Sequence, residues 1–486
     1  MNLIDSLVDV CRGKIITDPQ DMASFLTDWR GKWTGVALAV VQPESTEDVV
    51  SVVRWCHAHQ VSIVPQGGNT GLSGGATPSD AGLNVVICLT RMNKVREIDV
   101  VNNTISLDAG VTLVAVQEAA DAVHKLFPLS LAAEGTCTIG GNLATNAGGV
   151  QVLRYGNARD LCLGLEVVTA DGSVWNGMKS LRKDNTGYDL KNIFIGSEGT
   201  LGIITGATLK LFEKPKSKVV SLVALADPSA AVSLLKLAQE LYSNELTAFE
   251  LISDECIQLV EKYVDAARLP LDSRSEWYVL LELSSSSDDQ SLAARIESLL
   301  EMTMENEWIA DAAISSSMAQ FNAMWALRED ISEAQAAHGK TIKHDISLPI
   351  SVIPQFIEQV TKQLLHRFTN IRMVVFGHLG DGNLHFNLSP ASSLEKSHIQ
   401  AFTGMESEVN KLVHDAVNDL KGSISAEHGL GVLRRDEAFR YRGETEHRLM
   451  QALKKSFDPK NLMNPGKVIS SVESMDIGPA ANAIVP

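Results

Sequence analysis

Eleven residues, Gly377 to Asn387 (GHLGDGNLHFN), set two histidines and an asparagine around a glycine-rich turn. The segment before them, Arg372–Phe376 (RMVVF), is β-branched and aromatic and reads as a buried strand. Asp381-Gly382 has the chemistry of a tight hairpin turn. On the returning strand LHFNL alternates, so His385 and Asn387 share a face, while His378 stands at the mouth of the first strand. Two imidazoles on neighbouring strands suit a divalent metal. A hairpin that holds its histidines for purely structural reasons is the competing reading at this point.

Three other segments carry chemistry. In Ser425-Ala426-Glu427-His428-Gly429-Leu430-Gly431, sequence neighbours cannot face one point on a regular element, so a turn is implied. The Glu427 carboxylate can complete a His378/His385/Glu427 set with an open position, the pattern of a catalytic metal. His428 is then free as a general base. In WALREDIS, a helix would put Arg328 and Ser332 on one face, fit to fork onto a carboxylate; a solvated helix surface is the plainer alternative. In TIKHDISLP, Lys343 and Asp345 share one face of a strand and His344 takes the other. Lys343 is either a second cationic anchor or an edge lysine that discourages strand pairing.

The elements that must hold these residues exceed one core, because 486 residues divide into two or more domains. The chain carries 42 Lys+Arg against 59 Asp+Glu, a net charge of −17, which argues against nucleic acid and anionic membranes as partners. No run approaches the ~18 apolar residues of a membrane helix, and MNLIDSLVDVCRGK lacks a basic leader followed by an apolar core. Six scattered cysteines without a CxxC pair read as reduced, buried thiols, and a cytoplasmic location follows. Residues 1–35 read as a helical lead-in. From Val36, VALAVVQP, STEDVVSVVRWCHAHQ and VSIVPQGG read as strand, capped helix and strand. The charged FEKPKSK reads as a linker near residue 215. After it, VVSLVALAD, SAAVSLLKLAQELY, Trp277–Ser285, DDQSLAARIESLLEMTMEN and Pro349–Phe368 alternate strand with long helix, predicting an antiparallel sheet covered by helices on one face. The tail SSVESMDIGPAANAIVP reads as poorly ordered.

Three small-residue clusters interrupt the first half. In PQGGNTGLSGG, five of eleven residues are glycine, which lets successive backbone N–H groups converge on phosphate oxygens. GTCTIGGNLATNAGG is small and polar, leaving room for a planar ligand against the backbone. IGSEGTLGIIT repeats the theme before the strand ATLKLF.

Together these clusters resemble the FAD-binding domain of the vanillyl-alcohol oxidase/p-cresol methylhydroxylase superfamily over residues 36–214. By that resemblance Pro65, Gln66, Gly67, Gly68, Asn69, Thr70, Gly71 and Leu72 hold the FAD pyrophosphate. Gly135, Thr136, Ile139, Gly140, Gly141, Asn142, Thr145, Asn146, Gly148 and Gly149 of the second cluster, with Glu198, Gly199, Gly202, Ile203 and Ile204 of the third, run along the flavin and its ribityl chain. Some relatives attach FAD through a histidine in the first loop; here the loop holds Asn69, so non-covalent FAD is expected.

Residues 215–470 are similar to the C-terminal domain of the FAD-linked 2-hydroxyacid dehydrogenases. GHLGDGNLHFN, SAEHGLG and the closing FDPKNLMNPGK carry the likeness, and Asn464 of that closing segment is assigned to FAD by it. WALRE…S and TIKHDISLPI look most like the branch that oxidises D-2-hydroxyglutarate, where the arginine, a hydroxyl one turn later and the strand lysine grip substrate carboxylates. Ser332 keeps a hydroxyl where threonine is common in that branch. The expected fold is α+β: a two-part FAD-binding domain, an α+β substrate domain, a small C-terminal helical segment and a tail over 471–486.

The expected reaction is FAD- and metal-dependent oxidation of a D-2-hydroxy acid, D-2-hydroxyglutarate first. His378, His385 and Glu427 hold the metal, for which zinc is the first choice. His428 acts as base, Arg328, Ser332 and Lys343 hold the distal carboxylate, and Asn387 orients the near one. D-lactate or glycolate oxidation is the runner-up, because one carboxylate would leave a cationic anchor without a partner. A flavin electron-relay subunit is the rival of another class. The electron acceptor expected is electron-transfer flavoprotein, a quinone or a cytochrome, and a homodimer is compatible with the chain.

Overall fold

Among the described residues, three large sheets and one two-stranded ribbon carry the chain. The first has the order Lys14–Ile16, Ala39–Gln42, Asn84–Cys88, Ser62–Gln66. Its outer strand Lys14–Ile16 is antiparallel and the other three run parallel to one another. Helix Thr46–His59 makes the crossover between Ala39–Gln42 and Ser62–Gln66; the Ser45 side chain accepts from Asp48 N, and Val49, Val52, Val53, Trp55 and Cys56 are buried. The expected strand–helix–strand is present. The lead-in is not purely helical, however. The edge strand Lys14–Ile16 lies between helices Leu3–Val10 and Pro19–Leu26, and three residues are too few for a period to reveal.

The second sheet has the order Val95–Asp99, Thr104–Asp108, Gly202–Lys210, Cys162–Thr169, Val174–Gly177, antiparallel throughout. One hydrophobic core, from Leu7 to Met463, joins the first two sheets. The linker FEKPKSK is partly strand, since Phe212–Glu213 pairs with Lys125–Leu126.

The third sheet has seven antiparallel strands in the order Ile309–Ile314, Ser217–Leu225, Trp277–Ser285, Leu246–Ser253, Ile371–His378, Asn383–Pro390, Asp345–Ser347. It is covered on both faces, which corrects the expectation of one. Val223 and Leu225 join a core with helices Pro228–Tyr242, Leu292–Glu305, Ile353–Arg367 and Glu406–Asp419. Val220, Leu222 and Ala224 join another with Asp254–Tyr263, Met318–Glu329 and Ile331–His338. Strands apolar at both parities, such as VVSLVAL, need two covers.

The C-terminal helices Arg435–Tyr441 and Glu444–Phe457 lead the chain back to the first domain. There Ile63 N donates to Leu462 O and Asn464 N to Ile63 O, each at 2.7 Å, and Met463 is fully buried in the first core. The FAD-type half is therefore closed by the far end of the chain, across the boundary read from sequence. The computed structural model describes residues 2–287, 291–391 and 396–469, without side chains at 396–399. The acidic start of DDQSLAARIESLLEMTMEN and the tail read as poorly ordered lie outside those residues.

Candidate active site

The hairpin forms as its alternation predicts. Ile371–His378 pairs with Asn383–Pro390 in the register Phe376↔His385 and Val374↔Asn387, and Gly382 takes φ +85°, where a side chain would be strained. His378, His385 and Glu427 converge: one ligand atom from each lies within 4.8 Å of the others, the one such group among the described residues. Glu427 Oε1 is 3.4 Å from His378 Nε2, and Oε2 is 3.9 Å from His385 Nε2.

Behind His378 lies Glu250, fully buried on the neighbouring strand Leu246–Ser253. Its Oε1 is 2.7 Å from His378 Nδ1, which turns Nε2 of that ring toward Glu427. Its other oxygen takes Arg328 Nε at 2.8 Å. Burial pushes the Glu250 carboxyl up, but His378 and Arg328 outweigh it and hold it well below the usual range. Burial likewise opposes charge on His378, yet Glu250 and Glu427 raise its pKa strongly, so the two carboxylates here demand positive charge. Burial, helped by the charges of Arg328 and His378, carries His385 down to about 4 against the pull of Glu427 and Asp345, leaving a neutral imidazole fit to ligate. The donor set and its buried carboxylate backing fit a divalent cation with an open position.

Glu427 and His428 sit on an irregular turn, as their adjacency requires. Asp345 builds it: its Oδ2 accepts from Glu427 N at 2.9 Å and His428 N at 3.0 Å, and lies 3.1 Å from His428 Nδ1. With Nδ1 donating to Asp345, Nε2 of His428 keeps its lone pair. Burial would raise the Asp345 carboxyl, but His428, His385 and the two backbone N–H groups hold it at about 2.

A cavity of about 100 Å³ opens beside this turn. Of the residues assigned to the site from sequence, Ser332, Lys343, His385, Asn387 and His428 line it, and so do Arg30, Ser73 and Phe376. Asn387 is already engaged: Oδ1 accepts from His344 N at 3.0 Å and Nδ2 donates to Gln335 Oε1 at 3.1 Å. One amide hydrogen remains for a ligand. Arg328 departs from expectation. The helix breaks at Asp330, so Arg328 ends helix Met318–Glu329 and Ser332 begins helix Ile331–His338. Arg328 is buried, committed to Glu250, and its guanidinium lies 4.8 Å over the Phe376 ring that lines the cavity.

A second cleft adjoins the first. Pro65, Gln66, Gly67, Gly68, Asn69, Thr70, Gly71, Gly140, Gly141, Asn142, Thr145, Glu198, Gly199, Gly202, Ile203 and Ile204 line it, all predicted for FAD. Cys137, Thr138, Ser197 and His428 line it as well, without having been predicted for FAD. A Cβ on Gly71 would meet nothing within 4 Å, while on Gly68 it would fall 1.9 Å from Thr136 O. The first loop thus packs tightly on the second cluster with its open side to the cleft. Gln66 Oε1 is a buried acceptor without a partner among the described residues, suited to a ligand hydroxyl or N–H. These features fit FAD.

The other predicted FAD residues serve differently. Leu72 faces the 100 Å³ cavity and Ile139 is core. Gly135 and Thr136 stand outside the cleft lining, with Thr136 O under the Gly68 approach. Asn146 ends helix Ile139–Thr145 at φ +52°, and its Oδ1 accepts from Arg159 N. Gly149 permits close approach, since a Cβ there would fall 1.9 Å from Ser130 O, while one on Gly148 would sit 3.3 Å from Val152 Cγ2 and at ordinary contact distance, 3.8 Å, from Glu427 Oε1. Asn464 Nδ2 donates to Gly75 O and Glu198 O, each at 2.8 Å. The Glu198 carboxylate accepts from Leu430 N and Gly431 N, tying the cleft to the His428 turn. Sequence reasoning missed Glu250, Asp345 and Arg30 as site residues; for Glu250 the available signal was a charge inside the apolar strand LTAFELIS.

Two family models match the chain: the FAD binding domain over residues 37–177, and the C-terminal domain of FAD linked oxidases over residues 214–468. A D-2-hydroxyglutarate dehydrogenase of Xanthomonas citri pv. viticola is 39% identical over 460 residues, covering 94% of each chain. One of Stutzerimonas stutzeri is 35% identical over 96% of this chain and 99% of its own. The mitochondrial D-2-hydroxyglutarate dehydrogenase of Arabidopsis thaliana is 36% identical over 94% of this chain and 79% of its own. Among solved structures, p-cresol methylhydroxylase superposes with a TM-score of 0.72 at 17% identity, covering 96% of both chains. An alkyldihydroxyacetonephosphate synthase gives 0.71 at 19%, over 95% of this chain and 84% of that one. Both likenesses speak to the fold alone. Among the described residues no helix is long and apolar enough to cross a membrane.

Proposed function

We propose that this chain, which belongs to the FAD-linked oxidase family as an FAD-dependent D-2-hydroxyacid dehydrogenase, oxidises D-2-hydroxyglutarate to 2-oxoglutarate with a divalent metal held by His378, His385 and Glu427. The observation that carries the reading is the position of His428, which borders both the FAD cleft and the cavity beside the metal-type donors. When bound, FAD supplies the hydride acceptor and the dication, with zinc the first choice, supplies charge that lowers the pKa of the substrate hydroxyl.

His428 removes the hydroxyl proton at Nε2, because Nδ1 is turned to Asp345. Asn387 offers its remaining N–H to the near carboxylate, and Ser332 and Lys343 hold the distal one. Arg328 keeps Glu250 ionised behind His378, so its influence on substrate passes through the hairpin. Non-covalent FAD is supported by Asn69, whose amide donates to Ser24 O and Thr27 O and offers no nucleophile.

Anaerobic flavin bleaching tests the reading with D-2-hydroxyglutarate, D-lactate and glycolate side by side. Fast bleaching by the first supports it. Bleaching by D-lactate or glycolate alone overturns the substrate, and bleaching by none favours an electron-relay subunit passing electrons to or from a flavoprotein, quinone or cytochrome.

A further inference from the structure

Two cations lining the 100 Å³ cavity lack a partner of their own. Lys343 is exposed at its rim, and no hydrogen bond or ion pair forms at its ammonium among the described residues. Arg30 is half-buried, and the same holds for its guanidinium. The other cations nearby are committed: Arg328 to Glu250, and Arg434 to Glu437 at 2.9 Å and to Lys343 O at 3.3 Å.

Arg30 is held in place by its backbone. The buried Asp28 accepts from Arg30 N at 3.0 Å and Trp33 N at 2.6 Å, while Gly31 N donates back to Asp28 O. Asn69 of the FAD loop grips Ser24 O and Thr27 O just before it. Lys32 makes an exposed ion pair with Glu406 on the second domain. A loop fastened at three points presents one guanidinium to the cavity.

Burial and the Arg434 charge lower the Arg30 pKa, and burial and Arg30 lower that of Lys343. Asp28, Asp345 and Glu406 act on Arg30 only from beyond ion-pair distance, and two crowded, partly desolvated cations without a direct partner among the described residues are unfavourable unless an anion joins them.

We propose that Arg30 and Lys343 together form the clamp for the distal carboxylate, so that selectivity for dicarboxylates originates partly in the N-terminal segment. The inference rests on the 2-hydroxyacid reading and assigns Arg30 a role in that site. Arg30 is an anion-binding residue; it takes no part in the proton or hydride step.

The test uses the flavin-loaded full chain with Arg30→Gln and Arg30→Lys. Two quantities are read: KM for D-2-hydroxyglutarate, and dissociation constants for 2-oxoglutarate and pyruvate from the perturbed flavin spectrum. A charge-assisted hydrogen bond predicts that Arg30→Gln weakens both dicarboxylates about tenfold or more, pyruvate at least threefold less, with partial recovery in Arg30→Lys. Equal weakening of 2-oxoglutarate and pyruvate, or none, overturns the clamp, as does loss of flavin from both variants. A wild-type flavin that D-2-hydroxyglutarate fails to reduce, but whose 2-oxoglutarate binding depends on Arg30, overturns the reaction and leaves the clamp standing.

Discussion

Glu250 and His378 meet at 2.7 Å across two adjacent strands, and the carboxylate's other oxygen is taken by Arg328 at 2.8 Å. A fully buried carboxylate there sets the imidazole tautomer and raises its basicity as a ligand. Glu250→Gln should therefore lower affinity for the divalent metal about 10- to 100-fold, by chelator competition, while flavin content holds. Retention of metal within twofold would remove Glu250 from the metal site.

Arg328 is expected to act mainly through stability. Removing it strands Glu250 with a single partner, and breaking a buried pair costs about 3–5 kcal/mol. Arg328→Met should lower the unfolding midpoint in urea accordingly, and Glu250→Gln/Arg328→Met should recover part of the loss. Strictly additive losses, with a KM effect confined to dicarboxylates, would return Arg328 to the substrate.

The hairpin and the glycine loops were readable because their signals are local. Strand alternation put His385 and Asn387 on one face, and clustered small residues marked the glycine-lined cleft. Partners that arrive from far along the chain were not readable. Glu250 is 128 positions from His378, and Asp345 is 83 from His428. Arg30 reaches the cavity only because Asp28 and Asn69 fold its loop inward, and no spacing rule reports that. The second cover of the large sheet, by contrast, had a local signal in strands apolar at both parities, which the one-face expectation passed over.

Asp345 is expected to govern the base. It holds the turn by two backbone N–H groups and the ring of His428 by a third contact. Asp345→Asn keeps the size but puts an amide where donors converge. Flavin reduction should slow about 10²- to 10⁴-fold, the range of a mispositioned general base, with flavin still bound. A reduction rate within threefold of wild type would mean that His428 is positioned by something else.

The loop contact at Gly68 is expected to decide flavin loading. A Cβ there would fall 1.9 Å from Thr136 O, a backbone atom that cannot swing aside. Gly68→Ala should force the first loop off the second cluster, and the 450 nm to 280 nm absorbance ratio of the purified protein should fall to less than half. Gly71→Ala, with nothing within 4 Å, provides the milder comparison. Equal loading of the two variants would show that the tight approach is dispensable.

Stability toward acid should depend on His344. Its ring is buried, and Nδ1 faces Phe386 O at 2.7 Å. Burial, His414 and Arg434 carry its pKa from the ordinary 6.5 down to about 3. The unfolded chain thus takes up a proton below about pH 6.5 that the folded chain refuses until about pH 3. The contribution of His344 is fully present above pH 6.5 and is lost as pH falls through that window, by about 2 kcal/mol at pH 5. His344→Asn retains a donor for Phe386 O and cannot titrate. Urea midpoints measured from pH 7 to pH 5 should fall less steeply in His344→Asn than in wild type, and identical slopes would assign the acid sensitivity to other groups.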